Sequence, residues 1–341
     1  MVLFCLGTRP EIIKTFPVIN EMQARGLPFK ILFTGQHQSL FEDVKDLIPT
    51  PDFSVLTIQE GQSLSSLLKN IIAAVDPIMD TSLFKLLVVQ GDTTTVLGCA
   101  LSAFYHQIPI GHIEAGLRSG DLMDPYPEEG NRRMVTQLAA LHWAPTQVAL
   151  ENLQTFGVDN AILTGNTIID ACQSFDFKIS HEHIVLITLH RRENFGQTIL
   201  DYCTAIENLA HKYNDLLFIF PMHPNPNVQK HKHIFSKVKV VQPLPYFDLL
   251  DLVSKAKLVI TDSGGIQEEC AFFKKKVIVC RKNTERPEGI DAGLAQLASP
   301  EELPAVFDAA ILSSPWTGTN PYGDGQASVR IVDSIEHFLR N

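Results

Sequence analysis

Short apolar runs rich in β-branched residues alternate along the whole chain with longer segments of helical periodicity. Strands that alternate with helices in this way are typical of βαβ units and mostly parallel sheets. In the first half of the chain, the pattern predicts strands at 2–7, 29–34, 86–90, 108–113 and 141–144. In the second half, it predicts strands at 184–189, 216–221, 238–241, 257–261 and 276–280.

Two domains are predicted, each an α/β fold with its own doubly wound parallel sheet. The segment from Thr164 to His183 lacks strong strand character and turns polar, which indicates a hinge. We therefore place an N-terminal domain at 1–168 and a C-terminal domain at 169–326. A chain of 341 residues is too long for one ordinary core, which supports this division and implies a cleft.

Composition narrows the classes of partner. Hydrophobic residues make up 45% and charged residues 19% of the chain, which are ordinary globular values. The net charge of −10 argues against broad electrostatic binding to nucleic acid or to an anionic membrane. No apolar run approaches the roughly 18 residues of a membrane helix, and the apolar start lacks the basic region of a signal peptide. We expect a cytoplasmic protein.

Cysteine and histidine spacing predicts no metal site. The six cysteines are scattered without a C-x-x-C pair, which favours reduced thiols packed as small hydrophobic residues. Two histidine pairs, His181 with His183 and His231 with His233, lie in polar stretches without a nearby acidic or cysteine partner. We interpret these four side chains as solvated surface histidines.

A predicted strand from Leu258 runs through Ser263, Gly264 and Gly265 into a helix. Glycine lets backbone approach a ligand closely, and the free N–H groups at a helix start favour an anion such as a diphosphate. The alternative is a tight βα turn without a ligand. Glu269, about a turn and a half into this helix, could accept hydrogen bonds from ribose hydroxyls or be a solvated helix residue.

Two cations follow the first predicted strand. Pro10 suits a first helical turn, which places Arg9 at the helix start and Lys14 one turn further on. An arginine fork and a lysine point charge could neutralise a diphosphate leaving group. Equally, the two could be a helix-start arginine and a surface lysine with ordinary partners.

Three carboxylates stand at strand ends of the first half, namely Asp92, Glu114 and Glu128. Desolvation and neighbouring charge at such positions can tune a carboxylate for proton transfer. Alternatively, Asp92 caps the helix that begins at Thr93, and Glu128 is a first-turn helix residue. His190 ends the first strand of the second half, where it could contact phosphate, move a proton or be structural.

Taken together, the motifs closely resemble the non-hydrolysing UDP-N-acetylglucosamine 2-epimerase family. The matching stretches run in family order along nearly the whole chain, at 7–11, 34–37, 91–95, 112–118, 127–132, 165–167, 190–193, 261–269, 284–287 and 320–325.

The resemblance implies a GT-B-like arrangement of two Rossmann-like domains with a central cleft, and a C-terminal helix at 327–341 that packs back on the first domain. It implies a homodimer that binds a UDP-N-acetylhexosamine and uses no external cofactor. The implied reaction is anti elimination of UDP to 2-acetamidoglucal followed by re-addition, which converts UDP-N-acetylglucosamine into UDP-N-acetylmannosamine reversibly. Its product would supply cell-surface polysaccharides.

The resemblance also implies roles for individual residues. The acid and base groups would be Asp92, Glu114 and Glu128, assisted by His190. The substrate would be bound by Arg9, Lys14, Ser263, Gly264, Gly265, Glu269 and Arg286.

Two departures from the family pattern are visible. Leu244 and Leu249 stand near the expected uracil site, where several members have glutamine and phenylalanine. Some members have a second, activating substrate site lined by equivalents of Gln36 and His37 and an arginine, and Gly61 stands at the arginine position.

Four alternatives remain open at this point. An epimerase of a modified UDP-N-acetylhexosamine differs by a few sugar contacts. A hydrolysing relative would share most of the nucleotide site, although the Pro10-Glu11 pair argues against it. A GT-B glycosyltransferase would not need several carboxylates around C2. An idle UDP-sugar-binding module would tolerate loss of the carboxylates and of His190.

Overall fold

The computed structural model describes residues 1–35, 43–55 and 61–340. The chain forms two compact units. The first consists of Met1–Ser174 together with Tyr322–Asn341, and the second of Phe175–Pro321. Each unit is built on its own parallel sheet, so the predicted class of two doubly wound α/β domains is confirmed.

The sheet of the first unit has seven strands in the order β3-β2-β1-β4-β5-β6-β7, and every neighbouring pair is parallel. The strands are β1 Val2–Leu6, β2 Phe29–Phe33, β3 Phe53–Ser54, β4 Leu86–Gln90, β5 Ile110–Ile113, β6 Leu141–Ala144 and β7 Ile162–Leu163. The order reverses between β1 and β4, which lie side by side although an intervening stretch of chain separates them.

Helices connect these strands. They are α1 Arg9–Ala24, α2 Leu64–Val75, α3 Thr94–Tyr105, α4 Glu128–Leu138, α5 Gln147–Thr155, α6 Thr167–Gln173 and the C-terminal helix Ala327–Arg340, with 3-10 turns at Lys45–Leu47 and Asp76–Ile78. Leu67, Ile71 and Val75 recur every four residues on α2, so they share one helix face. That face belongs to the buried core that includes Leu87 and Val89 of β4.

The second unit repeats this plan with a six-stranded parallel sheet in the order β10-β9-β8-β11-β12-β13. Its strands are β8 Ile184–Thr188, β9 Leu217–Pro221, β10 Lys239–Val241, β11 Leu258–Thr261, β12 Val277–Val279 and β13 Ala295–Leu297. Its helices are α7 Gln197–Lys212, α8 Pro226–Gln229, α9 Tyr246–Lys255, α10 Gly264–Phe272, α11 Pro287–Asp291 and α12 Leu303–Leu312, with 3-10 turns at Arg192–Asn194 and Lys232–Ile234.

The predicted strands are all present, with ends that differ by at most two residues. No strand was predicted at β3, β7 and β13, which have two, two and three residues. All three lie at a sheet edge. A run that short has no periodicity to detect, which explains the omission.

Burial confirms the interpretation of the cysteines and corrects that of one histidine. All six cysteines lie within the described residues, are buried and form no disulfide. His231 is 7% exposed, so its assignment to the solvated surface is wrong. It joins the short helix α8 to a 3-10 turn, and burial there lowers its pKa.

Within the described ranges, no helix combines the length and apolarity needed to cross a bilayer.

Asp170 of α6 holds the start of the C-terminal helix. Its Oδ1 accepts hydrogen bonds from the backbone N and the hydroxyl of Ser328 at 2.8 and 2.6 Å, and its Oδ2 accepts one from Ala327 N at 3.2 Å. The carboxylate thus satisfies backbone donors that a helix start leaves without intrahelical partners. Arg25 of α1 pairs with Asp333 at 2.6 Å on the exposed side of the same helix.

We expect Asp170→Asn to lower the free energy of unfolding of the first unit by about 1–3 kcal/mol, because an amide replaces a charged acceptor of buried donors. Urea unfolding followed by Trp143 fluorescence in a Trp316→Phe background reports this unit, since Trp143 lies within it. The control is Asp333→Asn, whose side chain is 62% exposed and should change stability by less than about 1 kcal/mol. Equal losses in the two variants would contradict the capping role.

Candidate active site

Each sheet has one reversal of strand order, and candidate residues collect in the loops beside it. In a doubly wound sheet the loops at such a reversal separate, which leaves a crevice at the carboxyl ends of the strands. In the first unit, Arg9 follows β1 and Asp92 follows β4. In the second unit, His190 follows β8 and Ser263 follows β11.

Glu114 is a buried carboxylate held by two polar side chains. It follows β5 with a positive φ of 66° and is 8% exposed. Lys14 Nζ donates to its Oε1 at 2.5 Å, and the side-chain amide of Gln90 donates to its Oε2. A left-handed conformation costs a residue with a side chain about 1 kcal/mol or more, so it persists where surrounding structure fixes it. Glu114 is therefore held firmly at the end of its strand.

Asp92 is tied to a neighbouring helix instead of capping its own. Thr93 is the N-cap of α3, since its hydroxyl accepts a hydrogen bond from Val96 N at 3.3 Å. The Asp92 carboxylate pairs with Arg132 of α4, whose Nε lies 3.1 Å from Oδ2 and whose Nη2 makes a second contact. Asn131 donates to the Asp92 carbonyl at 2.9 Å. The capping alternative for Asp92 is thus wrong.

Glu128 begins α4 and stands beside a glutamate with a structural role. Glu129 is fully buried and accepts hydrogen bonds from Ser119 N at 3.0 Å, Arg133 Nε at 2.7 Å and Arg132 Nη1 at 3.3 Å. Glu128 is half-buried in the first turn of the helix, where the helix dipole favours a carboxylate. The prediction that Glu128 stands at a strand end is thus wrong, because β5 ends at Ile113 and Glu128 is a first-turn helix residue. Its role in acid and base chemistry stays a prediction.

Arg9 is the first residue of α1 and is partly exposed, with Nη1 3.6 Å from Asp43. Lys14, one turn later, is directed at Glu114, so the alternative of a surface lysine is wrong.

Gln36 and His37 lie outside the described residues. Gly61, at the position of the expected arginine, has a φ of 75° and no side chain to supply a cation.

The loop that carries His190 is fastened to the end of β11 by Asp262. This aspartate is fully buried and its Oδ2 accepts hydrogen bonds from the backbone N of His190 and of Arg191, both at 2.9 Å, and from Asn194 Nδ2 at 3.1 Å. His190 Nδ1 lies 3.4 Å from Asp262 Oδ1. The imidazole stacks on His223 with ring centres 5.5 Å apart. The position of the His190 ring is therefore fixed from two sides.

The two glycines of the Ser-Gly-Gly turn have different surroundings. Ser263 is the N-cap of α10, and Gly264 is its first residue. A Cβ on Gly264 would lie 2.4 Å from Nη1 of Arg286, whereas a Cβ on Gly265 would meet no described atom within 4 Å. Gly264 is required by close packing against the guanidinium. Gly265 borders open space at the helix start, where backbone N–H groups favour an anion.

Arg286 belongs to a chain of alternating charges that is buried except for Glu193 at its far end. Its Nε donates to Glu268 at 2.6 Å, and its Nη1 contacts Glu285. Glu285 also accepts from Arg281 at 2.8 Å, and Arg281 Nε donates to Glu193 at 2.6 Å. Because removing one member would leave a buried charge uncompensated, the network holds the guanidinium rigidly beside the helix start.

Glu269 is 4% exposed, which overturns the alternative of a solvated helix residue. Its Oε1 accepts a hydrogen bond from the hydroxyl of Tyr246, at 2.8 Å. Tyr246 is the first residue of α9. Leu244 and Leu249, the departures from the family pattern, are half-buried on either side of it.

No role was predicted for Gln90, Arg132, Asp262 or Tyr246. The first three lie in or next to motifs that carry candidates, so a polar residue adjacent to a candidate was a signal that could have found them. Nothing in the sequence links Tyr246 with Glu269, because their contact depends on the packing of two helices. Among the described residues there is no cluster of three histidine, cysteine, aspartate or glutamate side chains suited to a metal ion.

The fold places each unit in the class of Rossmann-like doubly wound domains, many of which bind nucleotides at the reversal of strand order. A family model described as UDP-N-acetylglucosamine 2-epimerase matches residues 20–336. The UDP-N-acetylglucosamine 2-epimerase of Bacillus subtilis is 36% identical, with 98% of this chain and 94% of the relative covered. The chain therefore belongs to the UDP-N-acetylglucosamine 2-epimerase family, as the motifs predicted.

Two solved structures extend the likeness to three dimensions. The Neisseria meningitidis UDP-GlcNAc 2-epimerase bound to UDP-GlcNAc is 35% identical with a TM-score of 0.90, and both chains are covered completely. The Staphylococcus aureus MnaA-UDP co-structure is 34% identical with a TM-score of 0.93, with 99% of this chain and 96% of that chain covered.

The contrast between the two glycines predicts different effects on stability. Gly264→Ala should lower the free energy of unfolding of the second unit by about 1–3 kcal/mol, because the new methyl group displaces a buried, paired guanidinium. Gly265→Ala should be neutral or stabilise by up to about 1 kcal/mol, as expected for alanine in a helix with space around it. Trp316 fluorescence in a Trp143→Phe background follows this unit during urea unfolding. A similar loss in both variants would contradict the packing of Arg286 on Gly264.

Proposed function

We propose that this protein reversibly inverts C2 of UDP-N-acetylglucosamine, giving UDP-N-acetylmannosamine without net hydrolysis, and so supplies precursors of cell-surface polysaccharides. The family and the curated relatives support the substrate and the epimerase activity. One observation on this chain carries the proposal furthest: Asp92 and Glu114 follow adjacent strands, β4 and β5, and each is held by a buried cation. Inversion at a single carbon needs a base on one face and an acid on the other, and two fixed carboxyl groups can fill these roles.

The proposed reaction has two halves. In the first, a base removes the C2 proton while the bond between C1 and the UDP oxygen breaks, which leaves a C1–C2 double bond and free UDP. In the second, an acid protonates C2 from the opposite face while the UDP oxygen bonds to C1 again. Atoms balance without an external oxidant or reductant, so no cofactor is consumed.

First-unit residues are assigned to the proton transfers. We assign acid and base roles to Asp92, Glu114 and Glu128. The Lys14 ammonium, 2.5 Å from Glu114, would stabilise the carboxylate form that accepts a proton. We also place Lys14, with Arg9, near the diphosphate, where positive charge stabilises the leaving group as the C1 bond breaks.

Second-unit residues are assigned to the nucleotide. The start of α10, with Ser263, Gly264 and Gly265, offers backbone donors for the diphosphate, and Arg286 adds a cation beside it. Glu269, oriented by Tyr246, would accept from a ribose hydroxyl. His190 would act at the sugar and phosphate.

Incubation of the purified protein with UDP-N-acetylglucosamine in deuterated water tests the function. We expect deuterium at C2 of both epimers and intact UDP-N-acetylmannosamine in the product. Stoichiometric release of UDP with free N-acetylmannosamine would instead indicate a hydrolase. No exchange at C2 would contradict the epimerase and leave a glycosyltransferase or a binding module.

Glu114→Gln should abolish C2 exchange while UDP affinity stays within about tenfold, or 1.4 kcal/mol. This single change also leaves the Lys14 ammonium without its charged partner, and breaking a buried pair can cost about 3–5 kcal/mol of stability. The double variant Lys14→Met/Glu114→Gln removes both charges and should recover most of that stability without recovering exchange. Circular dichroism and thermal unfolding monitor the fold. Recovery of C2 exchange in the double variant would remove Glu114 from the mechanism.

Gly265→Ala should weaken UDP binding by about tenfold or more, because its methyl group occupies space that the proposed diphosphate needs. Isothermal titration with UDP and with uridine shows whether the loss of affinity comes from the phosphates. Uridine lacks the phosphates, so it should bind equally to the wild type and to Gly265→Ala. Unchanged UDP affinity would place the diphosphate elsewhere.

A further inference from the structure

Glu11 is a fully buried carboxylate that spans the strand reversal of the first unit. It lies in the first turn of α1, and its Oε2 accepts hydrogen bonds from Gly7 N at 2.6 Å and Thr8 N at 3.3 Å. Its Oε1 accepts from the hydroxyl of Thr93 at 2.7 Å. Gly7 and Thr8 belong to the loop after β1, whereas Thr93 belongs to the loop after β4. One side chain therefore joins the two loops that separate at the reversal.

The groups that Glu11 holds are the direct chain neighbours of two candidate residues. Thr8 precedes Arg9, and Thr93 follows Asp92. The Thr93 hydroxyl also accepts from Val96 N at 3.3 Å, so the start of α3 is connected to Glu11 through one hydroxyl group. A shift of the carboxylate would therefore move the backbone on both sides of the reversal.

Packing around the first loop leaves little freedom for compensation. A Cβ on Gly7 would lie 2.5 Å from Thr95 Oγ1 and 2.6 Å from Thr34 Oγ1. The loop after β1 is thus pressed against side chains of α3 and of the end of β2. In such close packing, a change in the hydrogen bonds of Glu11 cannot be absorbed locally.

We propose that Glu11 is a positioning residue whose carboxylate form fixes the loops of Arg9 and Asp92 together, and that its protonation lowers turnover. This inference rests on the proposed function, because it assigns the two loops to the same reaction. All three groups around the carboxylate are donors, so the ionised form satisfies each of them. The backbone N–H groups of Gly7 and Thr8 can only donate, so a proton on Oε2 would break those contacts. A proton on Oε1 would reverse the hydrogen bond to Thr93, whose own hydroxyl proton then loses its acceptor.

The electrostatic surroundings place this ionisation near neutrality. Burial raises the pKa of Glu11 to about 7, although hydrogen bonds from Gly7, Thr8 and Thr93 oppose that rise. Cys5 of β1 interacts with it electrostatically, and Cys99 of α3 is hydrogen-bonded to Cys5. Burial raises the pKa of the Cys5 thiol well above its usual range, so this thiol stays neutral where Glu11 titrates. On its own helix, Lys14 pairs with Glu114 and Arg9 with Asp43.

The sign of the pH effects follows from this raised pKa. Turnover should fall as the pH drops through about 7, because the carboxylate becomes protonated. Stability should change in the opposite direction. A carboxyl group with a raised pKa in the folded state contributes stability that is lost as the pH rises from its unfolded value to about 7.

The test is the isosteric, uncharged variant Glu11→Gln. We expect kcat to fall by about tenfold or more near pH 8, with KM changed by less than about threefold, and the acidic limb of kcat centred near pH 7 to disappear. The stability difference from wild type should grow in favour of the variant as the pH rises to about 7. Wild-type turnover in the variant, or an unchanged acidic limb, would overturn the proposal.

A matched control is Glu207→Gln in the second unit. Glu207 also accepts backbone N–H groups, from Ser236 and Lys237, and the hydroxyl of Ser236. Those hydrogen bonds lower its pKa to about 2 despite burial, so its loss should leave the acidic limb of kcat in place. Disappearance of the limb in this variant as well would show that a general loss of stability is responsible, which would overturn the proposal.

Two substitutions at Thr93 test the hydrogen bond between Thr93 and Glu11. Thr93→Ser keeps the hydroxyl and should retain turnover, whereas Thr93→Val removes it and should lower kcat as Glu11→Gln does. The double variant Glu11→Gln/Thr93→Val should be no slower than the slower single variant, since both changes break the same contact. Additive losses would overturn the proposal.

A readout without turnover separates this inference from the proposed function. Carbon-13 labelling of glutamate side-chain carboxyls gives a signal for Glu11 that is identified by its absence from Glu11→Gln. We expect this signal to titrate near pH 7 and to move in Thr93→Val. A wild-type chain that titrates in this way but exchanges no C2 hydrogen refutes the proposed function alone. Titration near the ordinary pKa of glutamate would refute the role of Glu11.

Discussion

In a doubly wound parallel sheet, each strand is followed by a helix that packs on one face of the sheet. Where the strand order reverses, the helices that follow the two adjacent strands lie on opposite faces. The two loops at that point are drawn apart, so their backbone and side chains are not covered by a helix. This protein has the reversal once in each unit, beside β1 and β4 and beside β8 and β11. Arg9 and Asp92 lie beside the first of these reversals, and His190 and Ser263 lie beside the second.

Three buried cations lie near these candidate residues, namely Lys14, Arg132 and Arg286, and a buried charge requires a partner. Glu114 has Lys14, Asp92 has Arg132, and Arg286 has two glutamates. A buried pair contributes little net stability compared with apolar packing, but loss of one partner is severe. Such pairs are thus poor stabilisers and good positioning devices. Their presence at the reversals indicates that the structure fixes these charges in place before a ligand arrives.

Much of this organisation could be predicted from the sequence, because strand and helix periodicities are local properties. The ordered motifs identified the family, and strand ends located Asp92, Glu114 and His190. Edge strands of two or three residues escaped because they carry no period. The side chains that hold the candidate residues were not predicted either, for a different reason. Arg132 is 40 residues from Asp92 in the chain and Tyr246 is 23 from Glu269, so these contacts depend on helix packing.

The two units differ in the chemical groups that they contribute to the proposed site. In the second unit, the groups that we assign to the diphosphate are backbone N–H donors and an arginine, none of which changes its protonation near neutrality. In the first unit, the groups that we assign to proton transfer are carboxylates, which can gain or lose a proton. Thr8 and Glu11 have the residue types of an ordinary helix-capping motif. An exposed cap would stay ionised at neutral pH, whereas burial of Glu11 beneath two loops brings its pKa to about 7. The same local motif thereby becomes sensitive to protons through its tertiary environment alone.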